Sequence, residues 1–404
     1  MKRILTFALC AAAIGSMCAQ KQAVSDAKKL VGKTDKIEEA RNLIKGAMQN
    51  PETARDAQTY FVAGDIEYKA YDNARAKQMI NPQDPNINTD DMGNQLINGY
   101  AWFLEALPLD SLPDEKGKVK PKYSKDIISK VASHTNDYFQ AGVNFYNNKK
   151  FFPESYKAFM IYADMPNQAW LGKNVPVLPD ADRASAYFNA GVCAYSGNDL
   201  QLAIDAFRKA RLLGSETPEN YIYEIASWQS LAQNDSTQQA NSQKQIFEIA
   251  QAGHKLFGLE KPVFINNIIN YLVFDGKSDE AMRTVNDEIA KNADAANLYG
   301  LRAFINSHNG NFDAAEADYR KAASLESADF ETLKNASRML YRIGAQKWNE
   351  IDPAAADAAQ KKAEVKNNYW GEAMKIADKA ATMNPNDAEL NDIIDSIEYN
   401  SSLN

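Results

Sequence analysis

Histidine and cysteine are the residue types most able to bind a metal or act as a nucleophile, and their spacing here favours neither role. His134, His254 and His308 are far apart in the sequence and form no HExxH or similar pairing. A helix uses such a pairing to present two imidazoles to one zinc ion. Cys193 lies in a run of small and aromatic residues, where we expect a small buried hydrophobic side chain. We therefore predict no metal site and no catalytic cysteine.

The sequence also lacks the loops that bind phosphate or activate a serine. No glycine-rich phosphate loop or GxSxG turn is present, and no pair of carboxylates is singled out by its spacing. One loop alternates oxygen ligands as calcium loops do, at Asp84, Asn86, Asn88 and Asp90. It has no glycine at the sixth position, and Gln95 stands where a bidentate glutamate is needed. Calcium binding stays open, and we expect no cofactor and no catalysis.

Composition narrows the classes of function further. The chain has 404 residues, of which 45% are hydrophobic and 24% charged, enough for a large core. Its formal net charge of −8 argues against general nucleic-acid binding, which needs a basic face. Only 14 Pro and 19 Gly interrupt the chain, and this favours helices over strands.

A five-residue pattern, YFxAG, occurs at 60–64, 138–142 and 187–191. In the third copy the residues at offsets 0, 3, 4 and 7 form one helical face: Tyr187, Ala190, Gly191 and Ala194. Small residues on that face let a second helix approach closely. After the turn SGND, a second helix is predicted to present a matching face at Ala203, Phe207 and Ala210.

This pattern resembles the tetratricopeptide repeat (TPR) family, in which aromatic and small residues recur at fixed places over about 34 residues. A clear copy spans 295–325, with Tyr299, Ala303, Gly310, Phe312, Ala315, Tyr319 and Ala322. Ala281 and Ala315 are separated by that same interval. The resemblance implies an all-α TPR α-solenoid, a right-handed superhelix of about eight antiparallel helix pairs, with 387–399 as a polar capping helix.

Several stretches depart from the repeat length. We expect a loop over 78–93 followed by a second helix over 94–109. Three prolines block a helix in 163–180, and 345–367 is expected to hold longer helices or an alanine-rich excursion. The quality of the repeats divides the chain into three segments. Degenerate N-terminal repeats with inserted loops occupy 20–180, and well-formed repeats occupy 181–325. A last helix pair with an insertion and a capping helix occupies 326–404.

In TPR proteins one face of each first helix lines a groove that binds partner peptides, and the resemblance carries this role to two sets of residues. The aromatic set, suited to apolar anchors of a peptide, is Phe61, Tyr68, Phe139, Tyr146, Phe188 and Tyr195. The polar set, suited to acidic groups or a terminal carboxylate, is Asn266, Asn270, Lys334, Arg338, Tyr341 and Arg342. The alternative is that the rings pack against neighbouring repeats and the charges are merely solvated.

Residues 1–19 resemble a signal peptide. Lys2 and Arg3 precede an apolar stretch, 4–14, that is too short to span a bilayer, and cleavage is expected after Ala19. Met17 makes the cleavage site imperfect, and acylation of Cys18 is the alternative. A glycosylation sequon at Asn335, in a predicted packed helix, favours a bacterial periplasm or cell surface over a eukaryotic secretory path.

These features predict a non-catalytic protein–protein interaction scaffold of the bacterial cell envelope, which binds a peptide segment or helix of another envelope protein. The mature chain is expected to lack a transmembrane segment, and its oligomeric state stays open. One alternative is an outer-membrane glycan-binding protein similar to the SusD family, which also carries TPR helices. Such proteins are usually lipidated and add a large non-TPR lobe. An enzyme hosted by the insertions has no motif in its support.

Overall fold

Residues 20–149 and 152–402 are described by the computed structural model, and they divide into two units, with the boundary after Gln238. In both units the described elements are helical. The strand-like contact in these residues is an isolated antiparallel bridge between Pro113 and Val119. None of the described helices is both long and apolar enough to cross a membrane. The predicted signal peptide, with Cys18, lies outside the described residues.

The helices of the first unit are α1 (20–30), α2 (Ile37–Gln49), α3 (Ala57–Ile80), α4 (Thr89–Asp110), α5 (Ser124–Ser133), α6 (Thr135–Asn148), α7 (Phe152–Asp164), α8 (Asp180–Ser196), α9 (Leu200–Leu212) and α10 (Pro218–Asn234). The proline-rich stretch after α7 forms two short 3-10 helices, Met165–Asn167 and Ala169–Asn174.

The loop predicted over 78–93 is shorter than expected, because α3 continues to Ile80 and α4 begins at Thr89. The Asn88 side chain caps α4 by accepting hydrogen bonds from the N–H groups of Asp90 and Asp91.

The helices of the second unit are α11 (Gln239–Phe257), α12 (Val263–Phe274), α13 (Ser278–Lys291), α14 (Ala296–His308), α15 (Phe312–Ser324), α16 (Phe330–Asn349), α17 (Ala358–Val365), α18 (Gly371–Ala381) and α19 (Ala388–Ser402). The stretch 345–367 contains the end of α16 and the helix α17. A π-helical segment, Lys366–Trp370, then joins α17 to α18. The predicted capping helix is α19, which buries Leu390, Ile393 and Ile397.

Consecutive helices of the first unit pack as antiparallel pairs through an aromatic ring seated against a glycine. A Cβ atom added to Gly191 of α8 would lie 2.5 Å from the Phe207 ring of α9. The same contact joins Gly142 of α6 to Phe159 of α7, where the added Cβ would lie 2.8 Å from the ring. Real Cβ atoms do not approach a ring so closely, so these positions require glycine. The predicted role of the small residues in YFxAG is confirmed.

Small residues serve the same purpose in the second unit. Ala303 of α14 and Ala315 of α15 are fully buried in one cluster, and Gly344 of α16 lies against the Trp370 ring that precedes α18. Each unit is therefore an all-α stack of TPR-type helix pairs. The boundary after Gln238 falls inside the segment 181–325 that repeat quality grouped together, because the contacts between helices, and not the regularity of the pattern, define the units.

Candidate functional site

A groove of about 600 Å³ runs along the first helices of three successive pairs in the second unit, α12, α14 and α16. We call it the second-unit groove. Its lining on these helices comprises Asn266, Asn270, Asn297, Gly300, Leu301, Phe304, Ser307, His308, Glu331, Thr332, Asn335, Arg338, Met339 and Arg342. Four of the twelve residues predicted to bind a partner are among them: Asn266, Asn270, Arg338 and Arg342.

Helical periodicity explains why these side chains share a surface. On α14 the lining residues Asn297, Leu301, Phe304 and His308 recur at intervals of three or four, as one face of a helix requires. On α12 the opposite face, which includes Phe264 and Ile268, is buried. The residues of α14 were missed by the sequence analysis. The signal that could have found them is the same offset pattern that singled out α12 and α16.

Two amide groups in the groove each have a polar atom without a hydrogen-bond partner among the described residues. These atoms are Oδ1 of Asn266 and Nδ2 of Asn297, both buried. Nε of Arg338 is also without a partner there. A buried polar atom without a partner has lost its hydration without gaining a hydrogen bond in the protein, at a cost of about 1–3 kcal/mol. If these side chains turn toward the groove, a ligand that offers both N–H and C=O groups would recover that free energy.

An aromatic cluster lies on the α12 and α14 side of the groove. Phe274 is 71% exposed, and its ring centroid lies 6.2 Å from that of Phe304 and 6.0 Å from that of His308. Phe274 and Asn270 also line a smaller hollow of about 170 Å³ together with Tyr271. An exposed phenylalanine beside two further rings can receive an apolar side chain of a ligand.

The basic residues of α16 are largely occupied by carboxylates of this chain. Lys334 is only 6% exposed, and its Nζ lies 3.1 Å from Glu331 and 3.3 Å from Glu389. Burial lowers its pKa, but these carboxylates outweigh burial and raise the pKa above the usual value. Arg338 pairs with Glu389 as well. In this part of the structure, Arg342 lines the groove without an ion pair to any described residue.

Two of the predicted polar residues, Lys334 and Tyr341, therefore do not line the groove. Lys334 is enclosed by acidic residues, and the Tyr341 hydroxyl accepts a 2.6 Å hydrogen bond from Asn400 of α19. The physical reason is the C-terminal helix, whose side chains lie against α16 and neutralise or cover this part of it. Of the predicted polar set, Asn266, Asn270, Arg338 and Arg342 line the groove, whereas Lys334 and Tyr341 are engaged by other side chains of this chain.

The predicted aromatic set of the first unit does not line an open groove. Phe61 and Tyr68 are 5% and 1% exposed. Phe61 stacks on Tyr123 at 4.7 Å, and the Tyr68 hydroxyl hydrogen-bonds that of Tyr138. The segment that leads into α5 covers Phe61, whereas Phe103 and His134 pack on Tyr68. For these two residues the packing alternative is the one the structure shows.

The remaining aromatic residues are partly covered. Phe139 lies edge-on to Phe159, with ring centroids 5.3 Å apart. Phe188 and Tyr195 are half-buried against Tyr223 of α10, at 6.3 Å and 5.7 Å. Tyr146, at 40% exposure, is the most exposed member of the predicted aromatic set.

Groups that could do other chemistry have structural roles. Cys193 is buried, with Sγ 3.0 Å from the Ser155 hydroxyl, and burial raises the pKa of its thiol to about 11. The prediction that Cys193 is buried is confirmed. Asp84 accepts hydrogen bonds from the backbone and side-chain N–H groups of Asn86, so this carboxylate stabilises its own turn. Across 20–149 and 152–402, no cluster of three or more His, Cys, Asp or Glu residues is placed to hold a metal.

No protein-family model matches this sequence, and no curated protein does. Among solved structures the chain is similar to YrrB, a TPR protein with an unusual peptide-binding site, at 15% identity over 52% of this chain and 96% of that one, with a TM-score of 0.34. It is also similar to a TPR repeats protein from Bacteroides fragilis, at 17% identity, 67% and 98% coverage and a TM-score of 0.30. A third is the C-terminal part of a TPR repeat-containing protein from Cytophaga hutchinsonii, at 13% identity, 77% and 98% coverage and a TM-score of 0.28. With identities this low, function is inferred from the groove itself.

Proposed function

We propose that the protein is a non-catalytic protein–protein interaction scaffold and that the second-unit groove binds a peptide segment of its partner. The observation that supports this most directly is the set of unpartnered amides in a groove formed by three successive first helices. The proposal includes export to the periplasm or cell surface, with another cell-envelope protein as the partner. Its basis for export is the signal-peptide pattern of residues 1–19.

The spacing of the groove suits an extended chain. Packed helices lie about 8–10 Å apart, which corresponds to roughly three residues of an extended peptide. Asn266 on α12, Asn297 on α14 and Asn335 on α16 each place an amide on the groove. An asparagine amide both donates and accepts, so it can pair with the N–H and C=O groups of a peptide backbone whatever the peptide's side chains.

The two sides of the groove differ in what side chains they favour. The cluster of Phe274, Phe304 and His308 favours an apolar or aromatic residue of the peptide. Arg342, on α16, favours an acidic residue, because it lines the groove without an acidic partner among the described side chains. We therefore expect a peptide that carries one apolar anchor and one acidic residue several positions away.

A displayed library of random peptides tests this proposal. Enriched peptides would be titrated against the wild type, against Asn266→Ala/Asn297→Ala, and against the control Asn384→Ala/Asn391→Ala, which changes two exposed asparagines outside the groove. Two lost hydrogen bonds at about 1 kcal/mol each predict about 30-fold weaker binding for the groove variant. The control should bind as the wild type does. If the enriched peptides bind the groove variant as tightly as the wild type, the proposed site is wrong.

The glycan-binding alternative is favoured by one observation, the exposed ring of Phe274 beside the amide of Asn270. An aromatic face next to a hydrogen-bonding amide is an arrangement that can hold a sugar ring. Binding of the wild type to a glycan array, abolished by Phe274→Ala and unaffected by Asn266→Ala/Asn297→Ala, would favour a sugar over a peptide.

A further inference from the structure

A short hairpin between α4 and α5 carries lysines at alternating positions in the sequence KGKVKPK, at 116, 118, 120 and 122. The bridge between Pro113 and Val119 closes the hairpin, and Gly117, with φ of +71°, makes its turn. Because successive side chains of an extended strand point to opposite sides, alternate residues share one face. The lysines at 118, 120 and 122 therefore fall together.

These three lysines line a cleft of about 550 Å³ that extends to the start of α3. Val119 and Pro121, which alternate with them, do not line it. Arg55, just before α3, adds a fourth positive charge. Leu112 and Tyr123 contribute apolar surface. The cleft thus collects cations on a chain whose formal net charge is −8.

The carboxylates that line the same cleft are already engaged. Asp110 accepts hydrogen bonds from the N–H groups of residues 122, 123 and 124 and from the Ser124 hydroxyl, at 2.7–2.9 Å. Burial raises the pKa of Asp110, but these donors outweigh burial and lower it, so the group stays ionised. Asp114 accepts from the N–H groups of Lys116 and Lys118. Asp56 accepts from the N–H of Gln58 and caps α3.

The cations, in contrast, are mostly without partners. Lys120 lies 3.5 Å from Asp114, an exposed and weak pair. Arg55, Lys118 and Lys122 form no ion pair with any side chain in the described ranges. Four cations and three carboxylates line the cleft, a formal net charge of +1. The carboxylates accept hydrogen bonds from N–H groups, whereas three of the cations have no ion-pair partner among the described side chains and are free to contact an anion with several oxygens.

We propose that this cleft binds a phosphate-bearing anion, with Arg55, Lys118 and Lys122 as its contacts. A phosphate group presents several acceptor oxygens and up to two negative charges, which suits several separate cations better than a single carboxylate does. The cleft exceeds the size of one phosphate, so the organic part of a phosphate ester lies against Leu112 and Tyr123. The phosphate is either that of a soluble ester or that of a phospholipid headgroup.

Calorimetric titration of the full chain at low salt tests the site, with glycerol 1-phosphate as the soluble probe. Co-sedimentation with phosphatidylcholine vesicles, with and without phosphatidylglycerol, is the lipid arm. The variant is Lys118→Gln/Lys122→Gln. Its matched control is Lys28→Gln/Lys33→Gln, two exposed lysines of the same unit with the same change in charge. Arg55→Gln tests the site independently.

We expect saturable binding of at least one probe, weakened about tenfold or more by Lys118→Gln/Lys122→Gln and changed less than about twofold by the control. Arg55→Gln should also weaken it. Binding of the soluble ester alone assigns a soluble ligand, and binding of the anionic vesicles assigns a headgroup. Absence of saturable binding by every probe, equal weakening in variant and control, or tighter binding of a poly-glutamate peptide overturns the proposal. The groove variant Asn266→Ala/Asn297→Ala should leave this binding unchanged, which separates it from the proposed peptide site.

Discussion

Gly191→Ala adds one methyl group, and the structure determines whether it raises or lowers the free energy of unfolding. An added Cβ would lie 2.5, 2.6 and 2.8 Å from three atoms of the Phe207 ring. That ring is fully buried and stacked on Tyr223, with centroids 5.9 Å apart and planes 13° apart, and Phe188 lies on another side of it at 5.9 Å. The ring therefore has little room to move, and α8 and α9 must separate instead.

The change in the free energy of unfolding is the cost of overpacking minus the gain in helix propensity. Alanine is favoured over glycine in a helix by about 0.8–1 kcal/mol. Overpacking a close contact costs about 1–3 kcal/mol. We expect Gly191→Ala to lower the free energy of unfolding of the first unit by up to about 2 kcal/mol, which would lower its melting temperature by up to about 8 °C.

Gly46→Ala is the matched control in the same unit. Gly46 lies in α2, and an added Cβ would meet its nearest neighbouring atom, in the Gln20 side chain, at 3.7 Å. This is an ordinary contact, so only the helix-propensity gain remains and the variant should be more stable than the wild type. Differential scanning calorimetry of the three proteins compares the two changes. If Gly191→Ala stabilises as much as Gly46→Ala, the ring is not a rigid partner and the explanation of the repeat is wrong.

Three further changes test other contacts. Burial lowers the pKa of His134, but hydrogen bonds with Asp72 and a backbone carbonyl outweigh burial and raise it above 6.5. The pair's stabilisation should therefore be full below about pH 6.5 and lost as the pH rises through the folded-state value, so His134→Asn should flatten the pH dependence of thermal unfolding above about pH 6.5. Lys334→Met should cost about 1–2 kcal/mol in urea unfolding, because it leaves Glu389 and neighbouring carboxylates facing each other. Cys193 should resist a thiol reagent at about pH 8 until the protein is unfolded in urea, and rapid labelling of the native protein would contradict its burial.

The amino-acid sequence determined the repeat unit of this protein, because the information lies within about 34 residues. Helical faces follow from offsets of three and four, and the pairing of a glycine with an aromatic ring on the next helix is readable at Gly142 and Phe159 or at Gly191 and Phe207. The capping helix α19 was recognisable for the same reason. Its buried residues recur on one face of a helix.

Tertiary structure decided which of the predicted faces remain open to a partner. Phe61 is covered by Tyr123, 62 positions along the chain, and Arg338 is paired with Glu389 through a contact 51 positions apart. No local period encodes such contacts, because they depend on where a later segment packs. The second-unit groove likewise needs α12, α14 and α16 side by side before Asn266, Asn297 and Arg342 share one surface. A residue's helical face is thus a local property of the sequence, whereas its exposure is set by every element that packs near it.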